Sequence, residues 1–220
     1  YWGVEQLDED RKYAEQYPLM DKKIWEYNPL NPQQLKDYDV SSYCYRHSRR
    51  DWKVSAYDKG YGINYDGDSR KPEYLIDGEK KTNWSSGKIN DKPLELPYYI
   101  IFDLNKVSDI DGVYLANGYS NQCLADVHVE YIGSEVADPY DINAPWETLL
   151  QVTDPNVVRA NLKNERFFDC PRTQARYLRL KISNPNTIVF KSDSDLTEEE
   201  KANQKKYHSF AEFGTYYKKP

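Results

Sequence analysis

Apolar and polar positions alternate in short runs from residue 52 onward, and turn residues separate the runs. Residues 52–57 place Trp52, Val54 and Ala56 on one face of a strand. Residues 98–104 are apolar almost throughout, which predicts a central strand covered on both faces. Residues 110–116 predict the next strand. Residues 126–132 alternate cleanly, sending Val127, Val129 and Tyr131 inward and His128 and Glu130 outward. Residues 146–152 read as an edge strand and residues 166–170 as a further short one. Residues 176–182 put Leu178, Leu180 and Ile182 on the core and Arg176, Arg179 and Lys181 partly or wholly toward solvent; the expected partner is the run 209–217. Residues 197–206, between those two, combine strong helix formers, a Thr197 cap, acids first and bases last. That segment is polar all round, so it predicts an exposed helical insertion before the last strand. Many short strands with turns between them indicate an all-β antiparallel sandwich or jelly roll.

Residues 1–50 have a different texture, charged and aromatic, with Pro18, Pro29 and Pro32 breaking any long element. Residues 7–17 allow a short helix, and Asn31-Pro32 resembles a helix start. The division expected is an N-terminal extension or linker over 1–50 and a sandwich domain over 51–220. The basic patch Arg46 to Asp51 reads as a solvated joint between them.

Thirty-six acids against thirty bases leave a net charge of −6, which argues against nucleic acid as a partner. No apolar run approaches the roughly 18 residues that a membrane-spanning helix needs. The first five residues, Tyr1 to Glu5, have neither the basic nor the apolar region of a signal peptide. Twenty-one tyrosines and five tryptophans against one methionine suit strands, and they also suit surfaces that pack on sugar rings. Cys44, Cys123 and Cys170 lack metal-type spacing and allow at most one intramolecular disulfide. His47, His128 and His208 are scattered, with no nucleophile elbow, phosphate-cradling loop or zinc signature near them. The acids Glu198 to Glu200 belong to a helix start rather than a positioned catalytic pair. A non-catalytic role is therefore expected.

The loop Asp77-Gly78 with Thr82 five residues after the acid brings a carboxylate, a sharp turn and a hydroxyl together. Two readings stay open on these residues. One is an ordinary Asp-Gly turn capped by Thr82; the other is an oxygen-lined loop for a hard cation, with Trp84 as its apolar anchor.

Five pieces in order carry a family resemblance: Trp52 to Ala56, Leu75 to Trp84, Pro97 to Leu104, Tyr177 to Ile182, and Ala211 to Tyr216. This order resembles the coagulation factor 5/8 type C, or discoidin, family, which includes the family 32 carbohydrate-binding modules. The resemblance implies a galactose-binding-like jelly-roll sandwich of about eight strands with the first and last close together. It implies a structural calcium ion between the Asp-Gly loop and the last strand. Its shell would comprise the side chains of Asp77, Thr82 and Glu212 and the carbonyls of Tyr74, Glu79, Thr82 and Ala211. It also implies a ligand face on the loops at one end, where Tyr61, Asn64, Tyr65, Lys88, Asn117, Tyr119, Asn121 and Gln122 stand here. The basic residue that galactose binders carry after Ala116 is replaced by Asn117-Gly118. Two functions follow: a carbohydrate-binding module of an extracellular, cell-surface or periplasmic protein, or a protein-binding adhesion module of the same fold. The first would capture glycan or polysaccharide beside other domains or subunits of a glycan-utilisation complex, a lipoprotein among them.

Overall fold

The computed structural model describes residues 18–19, 44–58, 62–63, 70–89, 92–118, 124–141, 143–153, 165–186 and 195–218. The helix expected over 7–17 and the helix start at Asn31-Pro32 lie outside the described residues. The strands are β1 (Pro18–Leu19), β2 (Cys44–Arg46), β3 (Lys53–Asp58), β4 (Gly62–Ile63), β5 (Trp84–Ser85), β6 (Lys88–Ile89) and β7 (Lys92–Pro93). They continue with β8 (Tyr98–Asn117), β9 (Val127–Ile132), β10 (Glu147–Val152), β11 (Glu165–Ile182) and β12 (Ser209–Lys218). A 3-10 helix covers Pro72–Leu75, and α1 covers Glu198–Gln204.

β8 and β11 pair antiparallel from Ala116↔Glu165 to Tyr98↔Ile182, with register shifts near Asp169–Thr173 and Ala175–Tyr177. One end of this ribbon joins β3 and β9, with β10 beyond β9; the other end joins β12, which also holds β2 and β5. The strands expected separately at 98–104 and 110–116, and at 166–170 and 176–182, are thus two long strands that serve both layers. The result is the expected all-β jelly-roll sandwich. Asn105 makes the bend in β8 at φ 66°, a left-handed conformation that asparagine tolerates better than most residues.

Three expectations are corrected here. Residues 177–182 pair with β8 and β9, while β12 pairs with the other half of β8, so 176–182 and 209–217 are not partners. Glu130 does not face open solvent: Arg179 and Lys181 hold its carboxylate, and Arg179 stacks between Tyr99 and Trp146 at 4.4 Å from each ring centre. Arg176, expected toward solvent, is likewise buried, paired with Asp103 and laid over the Tyr177 ring at 4.7 Å. At the other core-facing positions the alternation is followed. Trp52, Val54 and Ala56 are buried together, as are Leu178, Leu180 and Ile182. Phe102 stacks on Phe213 across the layers at 4.1 Å between ring centres. Thr197 caps α1 with a reciprocal Glu200 contact, and α1 buries no residue.

The open end of the sandwich is closed by His208, just before β12. Its ring lies between Tyr98 Oη (2.5 Å from Nδ1) and the Asn184 carbonyl (3.1 Å from Nε2). Nδ1 also lies 3.2 Å from the Lys206 carbonyl, so each ring nitrogen faces a carbonyl acceptor while the neutral ring has a single proton to give. Burial drives the His208 pKa down from 6.5 to about 4, despite the carbonyls of Lys206 and Asn184 that favour the charged ring. An unfolded histidine binds a proton below about pH 6.5, whereas His208 stays neutral in the fold until about pH 4. The unfolded state binds more protons across that window, so this contribution is complete above the window and lost as pH falls through it. Urea unfolding should show His208 costing about 2–3 kcal/mol between about pH 7.5 and about pH 4.5. The loss should shrink by that amount in His208→Phe; an equal loss in both proteins would assign the acid sensitivity elsewhere.

Candidate functional site

The Asp-Gly loop is built as a tight oxygen cluster. Pro72 starts the 3-10 helix, and Gly78 takes φ 80°, which a side chain would resist. Asp77 Oδ1 accepts the Glu79 N–H at 2.7 Å, and Thr82 Oγ1 lies 2.7 Å from both Asp77 Oδ2 and the Glu79 carbonyl. A hydroxyl has one proton, so only one of those two oxygens can receive a full hydrogen bond from it at a time. Trp84, fully buried, stacks on Phe210 at 5.1 Å and anchors the loop to β12, as its position in the sequence suggests.

Arg49 joins this loop to the last strand. Its Nη1 donates to the Leu75 carbonyl at 3.2 Å, to the Phe213 carbonyl at 2.8 Å and to Glu212 Oε2. Glu212 is almost wholly buried. Burial opposes the guanidinium's charge, yet Tyr114 and Glu212 beside it more than offset this and hold its pKa above the ordinary value. Arg46 lies over the Tyr114 ring at 4.5 Å. The basic patch expected as a solvated joint is therefore packed against the sandwich, and β2 beside it pairs with Tyr216–Lys218 of β12. Neighbouring cations in sequence read as surface because nothing local reveals the buried acid that one of them meets.

The expected calcium residues fall into two groups. Asp77, Glu79 and Thr82 are brought together in the loop, while Glu212 meets Arg49. Tyr74 and Ala211 lie on the flanking 3-10 helix and β12. Leu75 and Phe213, both outside the expected set, are the residues whose carbonyls share the guanidinium with Glu212. Among the described residues no three His, Cys, Asp or Glu side chains group as a metal site. The donor set that does converge is one carboxylate, one hydroxyl and one carbonyl, which is hard-cation chemistry.

Of the expected ligand residues, Tyr61, Asn64, Tyr65, Tyr119, Asn121 and Gln122 lie outside the described residues. Lys88 opens β6 and is exposed. Asn117 ends β8 with no exposed surface, and neither its Oδ1 nor its Nδ2 has a hydrogen-bond partner. Polar groups gather beside the following residue, Gly118, where Trp84 Nε1 on β5 also lacks a partner. Gly118 N–H donates to the Ser209 carbonyl at 3.1 Å, and a side chain at Gly118 would collide with Ser209 Oγ. Asn83 Nδ2 donates to Ser209 Oγ at 3.0 Å and to Ser85 Oγ at 3.3 Å; Arg70 Nη1 reaches Ser85 Oγ at 3.2 Å. Sequence reasoning placed Asn117 in a loop and passed over Arg70, Asn83, Ser85 and Ser209. Their only signal is position, at the starts of β5 and β12 and beside the 3-10 helix.

A search of curated proteins finds no match for the chain. Among solved structures, the C-terminal domain of a chitobiase from Bacteroides fragilis is similar at 21% identity and TM-score 0.52, covering 77% of this chain and 95% of its own. Chitosan-binding module 1 of a chitosanase/glucanase from Paenibacillus sp. IK-5 is similar at 14% identity and TM-score 0.51, covering 75% and 94%. At such identities these likenesses concern the fold alone. The F5/8 type C domain model matches residues 53–192. With the order of sequence pieces and the bent jelly-roll ribbon, that match makes this chain a member of the F5/8 type C domain family.

Proposed function

We propose that the chain is a non-catalytic carbohydrate-binding module, working outside the cell or at its surface within a glycan-capturing protein. The observation that carries this reading is Asn117, whose buried amide at the end of β8 lacks partners on both atoms. Leaving such a group unsatisfied costs about 1–3 kcal/mol, and native structures retain few of them. An amide presents one acceptor and two donors in a plane, the pattern that adjacent hydroxyls on a sugar ring meet. The fold shared with a chitosan-binding module and a chitobiase domain supports the same reading. Affinity electrophoresis across a broad polysaccharide panel tests it. Asn117→Leu should lose binding by at least about tenfold while stability holds or rises by about 1 kcal/mol, because the unpaired amide is gone. Silence across the panel, with capture of a protein partner instead, would favour the adhesion reading.

We further propose that the Asp77–Thr82 loop takes a structural calcium ion. Its support is the Thr82 hydroxyl, packed at 2.7 Å against two acceptors with a single proton between them. A cation there would relieve that crowding through the Asp77 carboxylate, the Thr82 hydroxyl and the Glu79 carbonyl. Arg49 already neutralises Glu212, so removal of the ion should soften the fold rather than unfold it. At calcium one hundred times the dissociation constant, binding adds about 2.7 kcal/mol. That should separate thermal melts in calcium and in chelator by about 5–10 °C. Superposable melts, with no metal in elemental analysis, would remove calcium from this account.

A further inference from the structure

The bend of the β8–β11 ribbon lies at the far end of the sandwich from Asn117. Tyr98 and Asn117, the two termini of β8, both sit beside the start of β12, through His208 and Phe210. The bend, at residues 105–109, instead faces the end of β12, where Tyr217 lies. Phe210 and Tyr217 stand seven positions apart, roughly 20 Å of strand. A cavity of about 390 Å³ opens there, lined by His47, Ser48, Trp52, Lys106, Asp109 and Tyr217, with Val107 and Ser108 between Lys106 and Asp109 on the bend of β8. That volume lies in the range of small-molecule sites, about 300–1,000 Å³.

The lining divides by chemistry. Trp52, Tyr217 and the exposed Val107 form apolar walls. Tyr217 is fixed in place by stacking on Tyr45 at 5.5 Å and by the His47 ring at 4.9 Å. His47 is held by Thr215 Oγ1 on Nδ1 at 2.9 Å, which leaves Nε2 for a ligand. Burial, then the nearby Lys106 charge, lowers its pKa to about 4, so the ring is neutral near pH 7. Gln174 Nε2 donates to Asp109 Oδ1 at 3.2 Å, leaving the second carboxylate oxygen available to accept a hydroxyl. Lys106 contributes an exposed ammonium that has no carboxylate partner among the described residues.

We infer that this corner cavity is a second glycan site, which takes one pyranose unit carrying a carboxylate. Lys106 pairs with the carboxylate. Nε2 of His47, the hydroxyls of Ser48 and Ser108, and Asp109 take the ring hydroxyls. Trp52, Tyr217 and Val107 cover the apolar face of the ring. The site shares only the fold with the loop-end site, and the distance between the two lets each be tested alone.

Backbone amide NMR, followed while the intact chain is titrated with hexuronate oligosaccharides and separately with neutral hexose oligosaccharides, decides the matter. The acidic series should shift the amides of residues 105–109 and Tyr217. Lys106→Ala, an exposed position whose loss leaves the core untouched, should weaken that response about tenfold. Asn117→Leu should leave it unchanged. Acidic sugars that move only the loop end, or a corner response indifferent to Lys106→Ala, would overturn the corner site and spare the loop-end reading. A neutral series that shifts the corner as strongly would overturn the carboxylate assignment. A corner response with a silent loop end supports the corner site and counts against the loop-end reading.

Discussion

The continuous pairing of β8 with β11 is the constraint on which the rest of the molecule depends. A buried strand cannot leave its amides and carbonyls unpaired without large cost. A chain that must cover a core from both sides therefore keeps its ladder intact while it bends. Here the ladder runs from Ala116↔Glu165 to Tyr98↔Ile182 and absorbs the bend as register shifts and a left-handed Asn105. Both layers thus hang on a single ribbon. Phe102 meets Phe213 because the ribbon folds back at a fixed place, and the two ends of β8 come together beside His208 for the same reason.

A folded-over ribbon still has to be held shut, and the buried Glu212 shows how. A buried carboxylate without a partner would cost several kcal/mol, so it must be matched by a cation brought to it. Arg49 comes from the segment before β3 and carries the Leu75 and Phe213 carbonyls on the same nitrogen. One guanidinium then ties the start of the sandwich, the Asp-Gly loop and the last strand. Such a pair is weak evidence for net stability, since two desolvated groups offset their attraction. Its effect is on register: shifting β12 by one residue would turn Glu212 away from Arg49 and send every β12 side chain to the opposite face.

The fold was legible in the sequence wherever burial follows a period of two. The faces of β3 and of residues 177–182 are examples, and the capped α1 follows equally from local chemistry. What periodicity could not convey was continuity. Asn105 to Asp109, and Pro171 with its neighbours, have the composition of turns, yet each is a bend inside one strand. Pairing partners were equally hidden, because an amphipathic run states which face is buried but not against what; residues 176–182 were matched with β12 on that account. In the candidate site, the Asp77–Thr82 contacts are local and were readable. Arg49 was not, since its partner lies 163 positions away. Asn117 was read as a loop residue from its amide and the following glycine, and only tertiary packing reveals it as a buried strand end.

Its position also explains why an unpaired amide can persist there. Near the start of β12, Asn83 bonds Ser85 and Ser209, and His208 and Asn186 are held by backbone carbonyls. Trp84 Nε1, buried on the neighbouring β5, also lacks a partner, so this end of the sandwich carries an unpaired indole N–H as well as the unpaired amide. A strand interior offers no such freedom, because both neighbours there claim the backbone and apolar side chains fill the space. Asn117 stands where the β8 ladder ends, and because its side chain has no exposed surface, hydroxyls from outside reach it only when its cover yields. Stability forgone at Asn117 is consistent with binding, and the closed ladder elsewhere is what lets the fold tolerate it.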